Sequence, residues 1–235
     1  MMGAMPYPEA YFSARESWRD WHIEANHLIS LARVSRDTRV LEIGCGGGGL
    51  LRLMRARGAR VVGVDTLESA LNLSTKRDEW RVASDKETNL SLPVTRHLSL
   101  VRIGEERALP FRDGAFDAIV GQHVIEHLPG AEAALDEWKR LLRPDGRLAL
   151  ATPNARYPDP AHFADADHAH VFSPRELCDA VGRAGFAVEA CYTIFPFLSR
   201  VRALRGLSVL GYRLFQRAPY FSARGRTILV AARKD

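Results

Sequence analysis

Arg39-Val40-Leu41-Glu42-Ile43 runs directly into Gly44-Cys45-Gly46-Gly47-Gly48-Gly49 and then into Leu50-Leu51-Arg52-Leu53-Met54. A short apolar run that ends in glycine reads as a buried strand, and the leucine spacing predicts a helix over 50–57. Strand, glycine turn and helix in that order form the first unit of a parallel sheet. A ligand of such a unit sits at the strand's carboxyl end, against the helix N-terminus. The alternation continues. Gly58 stops the helix and 60–65 reads as a second buried strand, with further strands at 98–103 and 116–121. A helix over 131–142 ends at Arg143-Pro144-Asp145-Gly146, a turn that leads into a strand at 147–151. Ser173-Pro174 reads as an N-cap with proline at the first helical position, opening a helix to about Ala184. Strands at 186–191 and 227–231 complete an α/β pattern with helices on both faces of the sheet.

The chain has 235 residues, enough for one substantial domain of this kind and too few for two. No run reaches the roughly 20 apolar residues of a membrane span. The first nine residues have neither the basic region nor the apolar core of a secretory signal. Cys45, Cys178 and Cys191 are odd in number and lack metal-binding spacing, which predicts unpaired thiols and a cytoplasmic setting. Three stretches lie outside the alternation: 1–37, with a helix expected over 13–33; 74–97, a polar surface excursion; and 193–226, apolar and basic at once.

Gly44, Gly46 and Gly49 satisfy G-x-G-x-x-G, so a dinucleotide is one candidate ligand. Glu42, two residues before the loop, argues for another. A carboxylate there repels a pyrophosphate, whereas S-adenosylmethionine brings an α-ammonium and a sulfonium that a carboxylate attracts. Asp65, at the end of the second strand, suits the ribose hydroxyls of either cofactor. A helix N-cap is the alternative for that residue, and it stands second in this context.

Glu42-x-Gly44-x-Gly46-x-Gly48, then Val62-Gly63-Val64-Asp65, Gly104-Glu105-Glu106-Arg107-Ala108-Leu109-Pro110-Phe111, Phe116-Asp117-Ala118-Ile119-Val120 and Leu142-Arg143-Pro144-Asp145-Gly146 follow one another over about residues 38–192. In this order they resemble the successive motifs of class I S-adenosylmethionine-dependent methyltransferases, small-molecule branch, which includes ubiquinone-pathway enzymes. The resemblance implies a Rossmann-like, seven-stranded, mostly parallel sheet with an antiparallel last strand. It implies a helical lid over 1–37, and a methyltransferase domain over 38–235 that carries an apolar-basic insertion at about 193–226. The implied cofactor set is Glu42, Gly44, Cys45, Gly46, Gly48, Asp65, Thr66, Glu105, Glu106 and Gln122. Within it Glu105 bonds the adenine amino group, a place where the family commonly has Asp, and the backbone at Glu106 meets the ring.

Methyl transfer is an in-line displacement, so positioning dominates and a base is needed only where the acceptor is a hydroxyl. His123, His127 and His168 are the candidate bases, with His170 a further one. A packing role that holds the loop is equally open for the first two. His123-x-x-Glu126-His127 also matches an inverted zinc-protease pattern. Pro129-Gly130 leaves little room for the helix that pattern needs, and the sequence identifies no third ligand, so no metal is expected. His162, Asp165, Asp167, His168 and His170 read first as a solvated, substrate-shaping loop and second as a divalent-metal site. On the acceptor side stand Tyr11, Phe12, Trp18, Trp21 and His22, an aromatic stripe that also suits a core.

The expected activity is methylation of a small molecule, with oxygen the leading acceptor atom. A membrane-borne lipid or quinone, a nucleic acid, and non-catalytic cofactor binding are the alternatives. The Asn/Asp-Pro-Pro-aromatic motif of base-methylating enzymes is absent after the fourth strand, so no nucleic-acid partner is expected. For the insertion at 193–226, a membrane-surface contact, a substrate cap and a homodimer contact all stay open.

Overall fold

The computed structural model describes residues 9–66, 81–84, 99–102, 108–157, 167–195, 202–215 and 223–235. Its strands are β1 (Arg39–Ile43), β2 (Arg60–Asp65), β3 (Arg81–Ser84), β4 (Ser99–Arg102), β5 (Phe116–Gln122), β6 (Leu142–Pro153), β7 (Phe186–Ile194) and β8 (Thr227–Lys234). They form one sheet in the order β3-β4-β2-β1-β5-β6-β8-β7. The last strand runs antiparallel to both of its neighbours, and β1 pairs in parallel with β2 and with β5. Eight strands replace the expected seven, because β3 adds a strand at the β4 edge. It lies inside the tract expected to be a surface excursion.

The helices are α1 (Glu9–Glu16), α2 (Arg19–Leu31), α3 (Gly49–Arg55), α4 (Ala131–Leu141), α5 (Pro174–Arg183) and α6 (Arg202–Phe215). Neighbouring residues of the central strands β1, β2, β5 and β6 feed opposite cores, as strand periodicity requires. Val40, Val61, Ala118 and Ala149 face Leu28 of α2 and Leu50 and Met54 of α3. Leu41, Val62, Ile119 and Leu148 face Leu135 and Trp138 of α4 and Leu177 of α5. Both faces are covered, which is why the central strands read as unbroken apolar runs. Phe116 is fully buried, its ring edge-on to Phe111 at 5.1 Å between centroids. Phe116→Ala is expected to cost about 3–5 kcal/mol, read as a lower urea midpoint at unchanged slope.

Three local expectations are corrected. The single helix over 13–33 is two helices: Ser17 Oγ donates to the Ala14 carbonyl at 2.6 Å, and Trp18 turns to extended backbone. The 143–146 turn is a bulge inside β6, since Leu142 already pairs with Phe116 and regular pairing resumes at Arg147. Cys178 of α5 and Cys191 of β7 are paired as a disulfide, their Cα atoms 6.8 Å apart, so only Cys45 is free. Ser173 caps α5 with Pro174 in the first turn, as read, and Glu176 completes a capping box with it. Among the described residues no helix is long and apolar enough to cross a membrane.

Candidate active site

The chain leaves β1 for β2 on one side and returns to β5 on the other, opening the crevice where sheets of this type take ligands. Gly44 and Cys45 donate their N–H groups to the Val64 carbonyl at 2.9 and 3.1 Å. Gly46 donates to Asp65 Oδ2 at 2.8 Å, which ties the loop to the end of β2. Gly46 has φ +49°, and a Cβ there would lie 2.9 Å from Phe12 Cε1 of α1. Only glycine satisfies both conditions. Glu16 of α1 accepts from Arg52 Nη2 at 2.6 Å, while Arg52 Nη1 donates to the Gly47 carbonyl at 2.9 Å. The N-terminal helix is thereby fastened over the glycine loop.

Glu42 is 2% exposed, and its Oε2 has no hydrogen-bond partner. Burial, followed by the charges of Asp65 and Glu16, pushes its carboxyl well above the ordinary range. A buried acid left half-satisfied calls for an explanation, and a cationic ligand group supplies one. Cys45 is also buried, with its thiol pushed up by burial, so it packs the loop as a neutral group. Thr66 is exposed beside Asp65. Glu105 and Glu106 lie outside the described residues.

Beyond β5 a charged group appears that the sequence reading missed. Glu24 of α2 is buried and accepts from Gln122 Nε2 at 2.8 Å and from Thr227 Oγ1 at 3.0 Å. His123 Nε2 lies 2.8 Å from the same Glu24 Oε1, and His123 Nδ1 lies 3.4 Å from Glu126 Oε1. Burial raises the Glu24 carboxyl, but the His123 charge and hydrogen bond outweigh it and hold it at about 2. His123 answers in kind: burial pulls it down, the Glu24 charge pushes it up, and the net shift is upward. A ring with a carboxylate at each nitrogen favours its protonated form. The signal for Glu24 was in the sequence, an acid on the buried 21/24/25/28 face of an amphipathic helix.

His127 belongs to a single 3-10 turn, Ile125–His127, so the metalloprotease-type helix does not form. Its Nδ1 is 3.1 Å from the Asp167 carbonyl, and its ring is 4.9 Å from that of His168. Glu126, fully buried, accepts from Thr152 Oγ1 at 2.9 Å. Glu126, His127 and His168 bring their ligand-type atoms within 4.8 Å of one another. This supplies the third group that the sequence had left unidentified. Glu126 Oε2 takes the Thr152 hydroxyl, and Oε1 faces His123 Nδ1 at 3.4 Å. His170 meets the Phe172 ring edge-on at 4.5 Å between centroids, and His162 and Asp165 lie outside the described residues. On the acceptor side Trp21 is core, Trp18 packs against it, and Tyr11 is exposed.

Residues 17–190 match the methyltransferase domain family model. The chain belongs to that family. The methyltransferase is 32% identical over 135 residues to the ubiquinone biosynthesis O-methyltransferase of Dechloromonas aromatica, covering 57% of this chain and 50% of that protein. It spans about half the length of the curated relatives it matches. Among solved structures, an S-adenosylmethionine-dependent methyltransferase from Mesorhizobium loti shares the fold at TM-score 0.67 and 17% identity, over 93% of this chain and 99% of that one. The geranyl diphosphate C-methyltransferase of Streptomyces coelicolor aligns at TM-score 0.63 and 20% identity, over 91% and 79%. An oxygen-methylating relative and a carbon-methylating one show that fold alone does not choose the acceptor atom. The orphaned Glu42 oxygen beside the glycine cradle is the feature of this chain that suits the cationic end of the methyl donor expected from the sequence.

Proposed function

We propose that this methyltransferase transfers the methyl group of S-adenosylmethionine to a hydroxyl oxygen of a small-molecule acceptor, with His127 receiving the proton. When bound, the cofactor supplies an electrophilic methyl carbon. Glu42 meets its ammonium, Asp65 its ribose hydroxyls, and the glycine cradle, held in shape by its own hydrogen bonds to Val64 and Asp65, lets its carboxylate end approach the backbone. Residues 1–37 act as the lid, through Phe12 on Gly46 and the Glu16–Arg52 pair. His123, clamped between Glu24 and Glu126, positions the loop that carries His127.

The observation that carries the proton assignment is the His127 Nδ1 contact with the Asp167 carbonyl. A carbonyl only accepts, so Nδ1 bears the hydrogen and the neutral ring keeps its lone pair on Nε2. His123 has no such freedom. The O-methyltransferase relative supports oxygen as the acceptor atom. A panel of phenolic and catecholic acceptors, assayed with methyl-labelled cofactor and product analysis, tests the reading. Label is expected on oxygen, and His127→Ala should lower kcat by about 10²–10⁴-fold with cofactor affinity unchanged. Label on nitrogen or carbon, or an unchanged kcat, overturns it.

A further inference from the structure

We infer that α6 is a docking face for an anionic membrane surface. The helix turns one side inward: Val209 and Tyr212 are buried, and Tyr212 lies 5.1 Å from Phe195 between ring centroids. The Tyr212 hydroxyl is 3.3 Å from His27 Nε2 of α2. Leu204, Leu207 and Leu210, at three-residue spacing, fall on the other side and are 50, 65 and 61% exposed. They are the most exposed large apolar side chains among the described residues, exceeding Tyr11 and Val188. A helix that needed only its own core would place polar groups on that outer stripe.

Charge says what covers it. Residues 200–226 hold seven arginines and no Asp or Glu, whereas the whole chain carries a net charge of only +5. Without this segment the protein would be slightly acidic, so the positive surplus lies in the same stretch of sequence as the leucines. Leucine methyls entering the acyl boundary while guanidinium groups meet phosphates is the way interfacial helices bind anionic bilayers. A second copy of the chain fits less well. Three leucines cover far less than the roughly 800 Å² per partner of a stable dimer. A two-fold contact would also face one arginine-rich segment with another. At 14 residues α6 is too short to span, so it lies on the surface. His27 stands one helical turn from Glu24 on α2, which joins the docking face to the acceptor side of the site.

Co-sedimentation with phosphatidylcholine vesicles and with equal-part phosphatidylcholine–phosphatidylglycerol vesicles tests this without any acceptor. The full chain is expected to pellet with the anionic vesicles alone, and less so as salt is raised. Leu207→Glu, at an exposed position outside the catalytic machinery, should weaken vesicle binding about tenfold or more while cofactor binding and circular dichroism stay unchanged. The triple change Leu204→Ser, Leu207→Ser, Leu210→Ser should abolish it. Failure of the wild type to pellet, or equal pelleting by the variants, overturns the inference. A dimer in sedimentation velocity that Leu207→Glu converts to monomer, with no vesicle binding, also overturns it and assigns the stripe to a second copy.

Discussion

Asp65→Ala should weaken S-adenosylmethionine binding by on the order of 100-fold in calorimetry, and Asp65→Asn by about tenfold. The carboxylate has two duties at the end of β2. Its Oδ2 takes the Gly46 N–H at 2.8 Å, which fixes the arch of the glycine loop. Its charge also suits the paired hydroxyls of a ribose, where charge-assisted hydrogen bonds contribute about 1.5–3 kcal/mol each. Alanine removes both duties. Asparagine keeps a carbonyl oxygen for the Gly46 N–H and gives up the charge, so its loss is the smaller one. An alanine variant with wild-type affinity would mean that the nucleoside sits elsewhere. Gly46→Arg should behave like the alanine variant for a different reason, since a side chain at that positive φ drives into Phe12.

The central strands were legible because both faces of the sheet are covered, which turns each of them into an unbroken apolar run between glycine or proline signals. The antiparallel last strand was not a matter of composition; it came from the resemblance that the ordered motifs carry. What stayed hidden was set by tertiary partners. Arg81-Val82-Ala83-Ser84 is a short edge strand in a polar tract, and pairing with β4 on one side suffices to hold it. Arg143-Pro144-Asp145-Gly146 carries turn chemistry, yet the flanking pairs of β6 with β5 absorb it as a bulge. The break at Ser17-Trp18 has neither glycine nor proline to announce it. Cys178 and Cys191 meet only because α5 packs beside β7, a contact that spacing cannot specify. At the site, the glycine loop, Glu42 and Asp65 converge at the end of β1 and β2. The histidines divided in a way that sequence could not foresee, because the Glu24 that charges His123 arrives from a helix about a hundred residues earlier in the chain.

Glu42→Gln should make the cofactor-free protein more stable at neutral pH and its cofactor binding weaker by on the order of 100-fold. The Glu42 carboxyl is raised in the folded protein by burial, Asp65 and Glu16. Its contribution to stability is therefore complete below the ordinary carboxylate range and is lost as pH rises through the raised folded value. Above that value an ionised carboxylate sits buried with Oε2 unpaired, and its removal is expected to gain about 1–3 kcal/mol. A cationic ammonium reverses the balance, because it makes the ionised form the favoured one. Cofactor binding should thus release a proton and strengthen with rising pH across the same window, a dependence that glutamine abolishes. Thermal melts across pH, with calorimetry in buffers of different ionisation enthalpy, measure both halves. A variant that melts lower and binds equally well would show that Glu42 serves the fold and not the methyl donor.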